Sequence, residues 1–383
     1  LPFQQLKGID DATALLINAL QQQQHIVIVG DFDADGATST AVLLSGLKAL
    51  GFKSVEYLVP NRFEYGYGLS PEMAELAVAQ GAELIITVDN GISAIEGIAL
   101  AKKAGVKVLV TDHHLAGNEL PNADAIVNPN QPGCSFPSKA LAGVGVAFYL
   151  LLALRAALRE QHYFTQRQLA EPNVAELLDL VALGTVADVV PLDSNNRILV
   201  HQGLMRIRSG KCRPGIQALI DVANRNAVKL TASDFGFALA PRLNAAGRLD
   251  DMSLGISCLL APDLGLARQY AAELDSLNVE RRAIEQSMQT EAQAFLSQLS
   301  FDGTELPEAL CLYRHDWHQG VIGILAGRIK EQFHRPTIVF AQGDEGELKG
   351  SARSIQGLHI RDLLEEISSQ YPGLIKKFGG HAM

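Results

Sequence analysis

The sequence predicts an α/β protein: a mostly parallel sheet, joined by a helical connector to a second α/β domain. Three observations carry this. Short β-branched runs alternate with helical stretches through the first half, several of those runs end in acidic residues or histidines, and 383 residues with 48% hydrophobic content suffice for two cores. The first run, HIVIVG (His25 to Gly30), is followed by SVEYLVP (Ser54 to Pro60), AELIITVD (Ala82 to Asp89), VKVLVTD (Val106 to Asp112) and ADAIVNP (Ala123 to Pro129). Between the first four lie helix-like segments such as ATSTAVLLSGLKALG and SAIEGIALAKKAG. Near-continuous apolar runs spaced this way mark βαβ units whose sheet is covered on both faces. Residues 143–158 and 174–186 are helical by pattern, and NRILVHQGLMRIR, ending at Arg208, starts a helical connection across 206–230. The second domain is expected over 231–383, with a long charged helix around 264–298 and strands EALCLY and TIVFAQ separated by GVIGILAGRIKEQF.

Composition narrows the class. No apolar run reaches the length of a membrane span, and LPFQQLKGID carries no signal-peptide pattern, so the chain reads as cytoplasmic, with no membrane partner. Cys134, Cys212, Cys258 and Cys311 lack CxxC spacing, which points to reduced thiols rather than a disulfide framework or a zinc knuckle. A net charge of -10 opposes a uniformly nucleic-acid-coated surface but permits a local basic groove, or acidic groups neutralised by metal. The chain begins with Leu and stops after KKFGGHAM, within what looks like a motif, so it is expected to be a fragment.

The acidic residues carry the functional argument. DFDADG, from Asp31, resembles the opening of a calcium loop, yet the twelfth position, which must supply a closing Glu, is Val42, and the approach is a strand rather than a helix. Asp31, Asp33 and Asp35 instead follow one strand, Asp89 ends a second, and Asp112, His113 and His114 end a third. Ligand crevices of open α/β sheets lie beyond the carboxyl ends of strands, so these groups should converge. A single Asp after a strand is ordinarily a turn former or N-cap. Several carboxylates gathered together repel one another unless a cation joins them, and oxygen with imidazole suits manganese, magnesium, iron or zinc. Asp188, after LLDLVALGTVA, could complete the cluster.

These residues resemble the DHH phosphoesterases, and among them the bacterial single-strand-specific exonucleases. GDFDADGATSTA, TVDNGIS, VTDHH and ALGTVADVVPL are similar to the family's four ordered motifs; APRLNAAGRLDD, HDWHQGVIGILAGR, KGSARS and FGGHAM are similar to the DHH-associated domain. The resemblance implies a DHH catalytic domain over 1–205 and a substrate-binding domain truncated before a downstream oligonucleotide-binding fold. It implies 5′ to 3′ hydrolysis of single-stranded DNA to 5′-mononucleotides in DNA repair and recombination, with two divalent ions, Mn2+ or Mg2+. Other family members instead cleave short oligonucleotides or cyclic dinucleotides. Asp33 and Asp89 are assigned to one ion, with Asp31 as partner, and Asp35, Asp89, His113 and Asp188 to the other. The resemblance further makes His114 a catalytic residue, as a metal ligand or as a phosphate-facing or supporting histidine, and Asp112 a ligand or the orienter of a ring. Many smaller members carry histidine four residues before the first paired aspartate; this chain has Val29 there, counting back from Asp33.

Arg242, Asn244, Arg248, Ser351 and Arg353 offer forked donors and a hydroxyl suited to phosphate, beside glycines that let backbone approach a ligand. His318 and His381 are expected as further phosphate or leaving-group contacts, and Arg62 with Tyr67 in NRFEYGYGLS could pair a phosphate and stack a base. The resemblance also implies a monomer served by a DNA helicase and a single-strand-binding protein.

Overall fold

The computed structural model describes residues 1–61, 67–117, 119–298, 307–343, 346–371 and 373–376. These fall into two compact units, Leu1–Asn278 and Val279–Met383.

In the first unit α1 (Ile9–Gln22) precedes β1 (Ile26–Val29), α2 (Ala34–Ala49), β2 (Val55–Leu58), α3 (Pro71–Ala79), β3 (Leu84–Val88), α4 (Ile95–Lys103), β4 (Lys107–Thr111) and β5 (Ala125–Val127). All five strands pair in parallel, in the order β2-β1-β3-β4-β5. The unbroken apolar character of β1, of β3 and, after Lys107, of β4 follows from burial on both sides, whereas the edge strand β2 carries an exposed Glu56. Ile26, Ile28, Ile86 and Leu109 join the core beneath α1 and α2, whereas Val27, Val29, Ile85, Val108 and Val110 join Met73, Ala77, Ile98 and Ala101 of α3 and α4. Side chains alternate across the strand, so a half-buried strand would have read as alternating.

Strand order places a topological switch between β1 and β3. The chain leaves β1 towards β2 and returns on the other side as β3, so the loops after β1 and β3 diverge and open a crevice at their carboxyl ends. Asp31 and Asp89 sit on those two loops. Helix boundaries follow from local chemistry. Asp33 caps α2 by accepting from the Gly36 N–H at 2.9 Å, and Ser70 caps α3 ahead of Pro71.

The unit continues through α5 (Gly143–Glu160), α6 (Tyr163–Gln166), α7 (Leu178–Ala187), α8 (Ser194–Arg208), α9 (Pro214–Val222), α10 (Ala232–Asp234), α11 (Ala240–Leu249) and α12 (Ser253–Leu259). The expected helix at 174–186 begins as a 3-10 turn, Val174–Leu177, before α7. Between α10 and α11 lies a π-helical turn, Phe235–Leu239. A division at Asn278 falls well after the join expected near 231. The physical reason is local: Asn244 Oδ1 accepts from the Ala34 N–H at 2.8 Å, and a Cβ at Gly247 would stand 1.8 Å from the Phe32 carbonyl oxygen. This tight seat fixes α11 on the acidic loop.

The division falls within α13 (Leu264–Gln298), the long charged helix. The second unit contains β6 (Leu310–Arg314), α14 (Ile322–Phe333), β7 (Thr337–Gln342), β8 (Leu348–Arg353) and α15 (Ile360–Gln370). β6 and β7 are parallel, β7 and β8 antiparallel, with Val339 opposite Ser351 and Thr337 opposite Arg353. β8 escaped the sequence reading because LKGSAR has no apolar alternation. Among the described residues the four cysteines are free, and no helix is long and apolar enough to cross a membrane.

Candidate metal centre

The loops after β1, β3 and β4, the start of α2 and the end of α7 bring seven side chains together. Ligand atoms of Asp31, Asp33 and Asp89 lie within 4.8 Å of one another, as do those of Asp35, His113 and Asp188, and those of Asp89, His113 and His114. His113 Nε2 stands 3.1 Å from Asp89 Oδ1 and 3.4 Å from Asp188 Oδ2. Asp89 therefore belongs to two of the groups, and His113 to two.

The backbone shapes this meeting. Asp89 has φ 62°, the left-handed region that Asp tolerates better than most residues, so the chain turns sharply as it leaves β3. Asn90 pins the turn by donating to the Val29 and Val88 carbonyls at 3.0 and 2.9 Å and accepting from the Leu69 N–H. Opposite, the first residues of α5 donate to Asp35: Gly143 N–H at 2.7 Å and Val144 N–H at 3.0 Å. A Cβ at Gly143 would fall 2.6 Å from Asp89 Oδ1, so only glycine lets α5 approach this closely.

Asp112 has a different job from its neighbours. Its Oδ1 accepts from the backbone of His113 and His114 and lies 2.7 Å from His114 Nδ1, while Oδ2 accepts from the Ile92 N–H. Both oxygens are engaged, and Asp112 lies in none of the three groups. Burial alone would raise its pKa, but the His114 hydrogen bond and charge outweigh that and hold the carboxyl below its ordinary value. His114 is lifted to about 9: burial opposes the charged ring, but the bond and charge of Asp112 prevail. Asn128 and Asn130, on the loop after β5, donate to the carbonyls of His114 and His113 at 2.9 and 2.5 Å.

The remaining carboxylates are short of positive charge. Burial, then repulsion from Asp33, raises Asp35 to about 7; burial, then Asp35 and Asp33, raises Asp188 to about 9; Asp89 is driven well above its ordinary value by burial and then Asp35. Asp89 Oδ1 and Asp188 Oδ2 are buried and accept no well-aligned hydrogen bond from the described residues. Carboxylate oxygens with imidazole nitrogen form a donor set for a hard or borderline divalent cation, and a cation removes the repulsion that these shifts express. The residues present fit such an ion.

The expected substrate residues fare unevenly. Tyr67 reaches the centre: its hydroxyl donates to the Asp89 carbonyl at 3.2 Å, lies 3.4 Å from His114 Nε2, and its ring meets Phe32 edge-on at 5.9 Å. Burial and the surrounding carboxylates keep that phenol protonated. Asn244 is present as the brace on Ala34. Arg242 is engaged within its own unit, 2.8 Å from Asp275 Oδ1 and donating to the Ala238 carbonyl. Arg248 closes α11 in the first unit. In the second unit Arg353 Nη1 donates to Ser351 Oγ at 3.3 Å, and a Cβ at Gly323, in the first turn of α14, would stand 2.9 Å from that oxygen. His318 Nδ1 accepts from the Gly320 N–H at 3.1 Å just before α14. Arg62 and His381 lie outside the described residues. Asn90, Phe32, Asn128, Asn130 and Gly143 were not anticipated; only the NG following β3 and the glycine opening α5 were legible signals.

The chain is similar to known proteins over its whole length. A model of the DHH family N-terminal domain matches residues 25–185, and one of the DHHA1 domain matches 307–383. The single-stranded-DNA-specific exonuclease RecJ of Salmonella typhimurium is 62% identical over 383 residues, covering all of this chain and 66% of that protein. A crystal structure of exonuclease RecJ bound to manganese is 35% identical, with a TM-score of 0.81, covering 100% of this chain and 89% of that one. The structure of RecJ from Thermus thermophilus in complex with Mg2+ is 32% identical, with a TM-score of 0.71, covering 100% of this chain and 49% of that one.

Proposed function

Since this chain belongs to the RecJ family of DHH proteins, we propose that it is a metal-dependent exonuclease hydrolysing phosphodiester bonds of single-stranded DNA from the 5′ end, releasing 5′-mononucleotides. The chain spans 66% of the length of the Salmonella typhimurium relative, and the activity of the whole protein is part of the proposal. One observation supports the reading above all: seven Asp and His side chains gather at a sheet switch point with too little positive charge to balance them.

Asp31, Asp33 and Asp89 would hold one Mn2+ or Mg2+, and Asp35, Asp89, His113 and Asp188 the other. Ions bound there supply Lewis acidity towards a phosphoryl oxygen and towards water. The chain's own residues do the rest. Asp112 fixes the His113 and His114 backbone and holds the His114 ring, whose charge at neutral pH attracts a phosphate. Tyr67 ties the Asp89 carbonyl, steadying the left-handed turn that aims its carboxylate inward. In the second unit, Ser351 and Arg353 beside the first turn of α14 suit a terminal 5′ phosphate: burial lowers the Arg353 pKa from its high value, and the fork stays charged at neutral pH. His318 is a neighbour in sequence to the same turn. A role in DNA repair, a helicase and single-strand-binding protein as partners, a monomeric state and a bacterial cytoplasmic setting belong to the same proposal.

A long single strand and a dinucleotide, each labelled at either end and digested side by side with Mn2+, test the reading. Stepwise loss of a 5′ label from the long strand supports it. Cleavage of the dinucleotide alone would favour the short-oligonucleotide class. End recognition has its own test. Arg353→Lys is expected to weaken the preference for 5′-phosphorylated over 5′-hydroxyl strands, and Arg353→Ala to remove it almost wholly, because a point charge cannot replace a fork. The ratio of kcat/KM on the two strands, at fixed salt, measures this. An unchanged ratio in Arg353→Ala would move recognition elsewhere.

A further inference from the structure

We propose that Val189 and Phe237 form an apolar wall beside the metal centre, against which the base of the reacting nucleotide rests; this depends on the nuclease reading above. Val189 directly follows Asp188, the C-cap of α7, and has φ 61°. That position after a helix ordinarily takes glycine or asparagine. A β-branched residue is among the least suited to it, and the Val189 side chain is 84% exposed, so burial returns nothing for the strained backbone. Neither local conformation nor packing in the free protein accounts for valine here. A contact made only when substrate is bound does.

Phe237 poses the same problem nearby. It is 82% exposed, on the π-helical turn Phe235–Leu239, while Phe235, Ala238 and Leu239 of that turn are buried. The turn packs on the last turn of α7, since a Cβ at Gly236 would sit 3.6 Å from Val186 Cγ1. Two large apolar side chains thus emerge from packed neighbours, one of them bonded to a residue of the metal centre. π-helical turns inside helical segments occur frequently at functional sites.

The occupant follows from covalent reach. A phosphate drawn to the ion that Asp35, His113 and Asp188 would hold is joined to its base through a single sugar, so that base lies close to the surface beside Asp188. An apolar surface suits it, because every base has a π-face and contact with it imposes no sequence preference. Polar groups at this place would select among bases instead.

The test uses single strands whose 5′-terminal nucleotide is either intact or a stable abasic analogue. The wild-type chain is expected to cleave the intact end about 10-fold more efficiently, and Val189→Asn and Phe237→Ala each to reduce that ratio to about 2-fold. Val189→Leu, which keeps an apolar contact, should preserve it. Val189→Asn suits the left-handed backbone, so its melting temperature and its stabilisation by Mn2+ should match or exceed wild type. An intact-to-abasic ratio unchanged in both Val189→Asn and Phe237→Ala would overturn the proposal. Absence of cleavage by the wild type would instead count against the nuclease reading, and the same ratio, taken from equilibrium binding of the two strands in Ca2+, would then decide on the wall.

Discussion

Asp89→Asn is expected to reduce strand hydrolysis on the order of 10³-fold or more while leaving the fold intact, since metal-site residues act as a unit. Among the described residues, Asp89 is the one carboxylate that belongs to both the Asp31 and Asp33 group and the His113 and His114 group. Its loss should disturb both ions. Asn tolerates φ 62° about as well as Asp, so the change isolates the charge from the turn. Stability should move the other way. The folded state raises the Asp89 pKa, so without metal this group favours folding below its unfolded value and loses that contribution as pH rises through the folded one. At pH 8 the metal-free variant should therefore melt at the same temperature as wild type or higher, with a smaller difference at pH 5. Mn2+ at a hundredfold excess over Kd stabilises the wild type by about 2.7 kcal/mol per site, and the variant should lose most of that gain. Near-normal turnover by Asp89→Asn would remove the two-ion assignment.

Gly143→Ala should have the next largest effect, although residue 143 bears no ligand. Its Cβ would lie 2.6, 2.7 and 2.8 Å from Asp89 Oδ1, Cβ and Cγ, and the same residue donates its N–H to Asp35. Either α5 retreats, weakening the bonds to Asp35, or Asp89 turns away from the centre. Overpacking of this kind costs roughly 1–3 kcal/mol. A displacement of about 1 Å at the reacting groups is worth on the order of 10²-fold in rate. Thermal melting and kcat with saturating Mn2+ measure the two losses separately. A variant with unchanged kcat would show that α5 is not what positions Asp89.

Much of this arrangement is legible in the sequence for a simple reason. Strands buried on both faces read as continuous apolar runs, and a carboxylate after such a run is visible whether or not its partners are known. HIVIVGDFD, LIITVD and VLVTDHH therefore reveal both the sheet and the acids it gathers. Contacts made between distant segments leave no such trace. That Gly143 and Val144 clasp Asp35, that Asn90 ties three segments together, and that Asn244 braces Ala34 follow from tertiary packing. Arg242 shows the converse: an arginine in a glycine-rich motif looks available for phosphate until Asp275 is found beside it. The left-handed conformation of Val189 is equally invisible, because valine is the residue least expected there.

Calorimetric titration of the metal-free chain with Mn2+, in buffers of different ionisation enthalpy, tests the central claim most directly. Asp35 and Asp188, raised to about 7 and about 9, hold protons near neutrality that a cation must displace. The expected result at pH 7 is two ions per chain with net release of protons, and an affinity that falls as pH is lowered. Binding of one ion or none, or uptake of two without proton release, would contradict it.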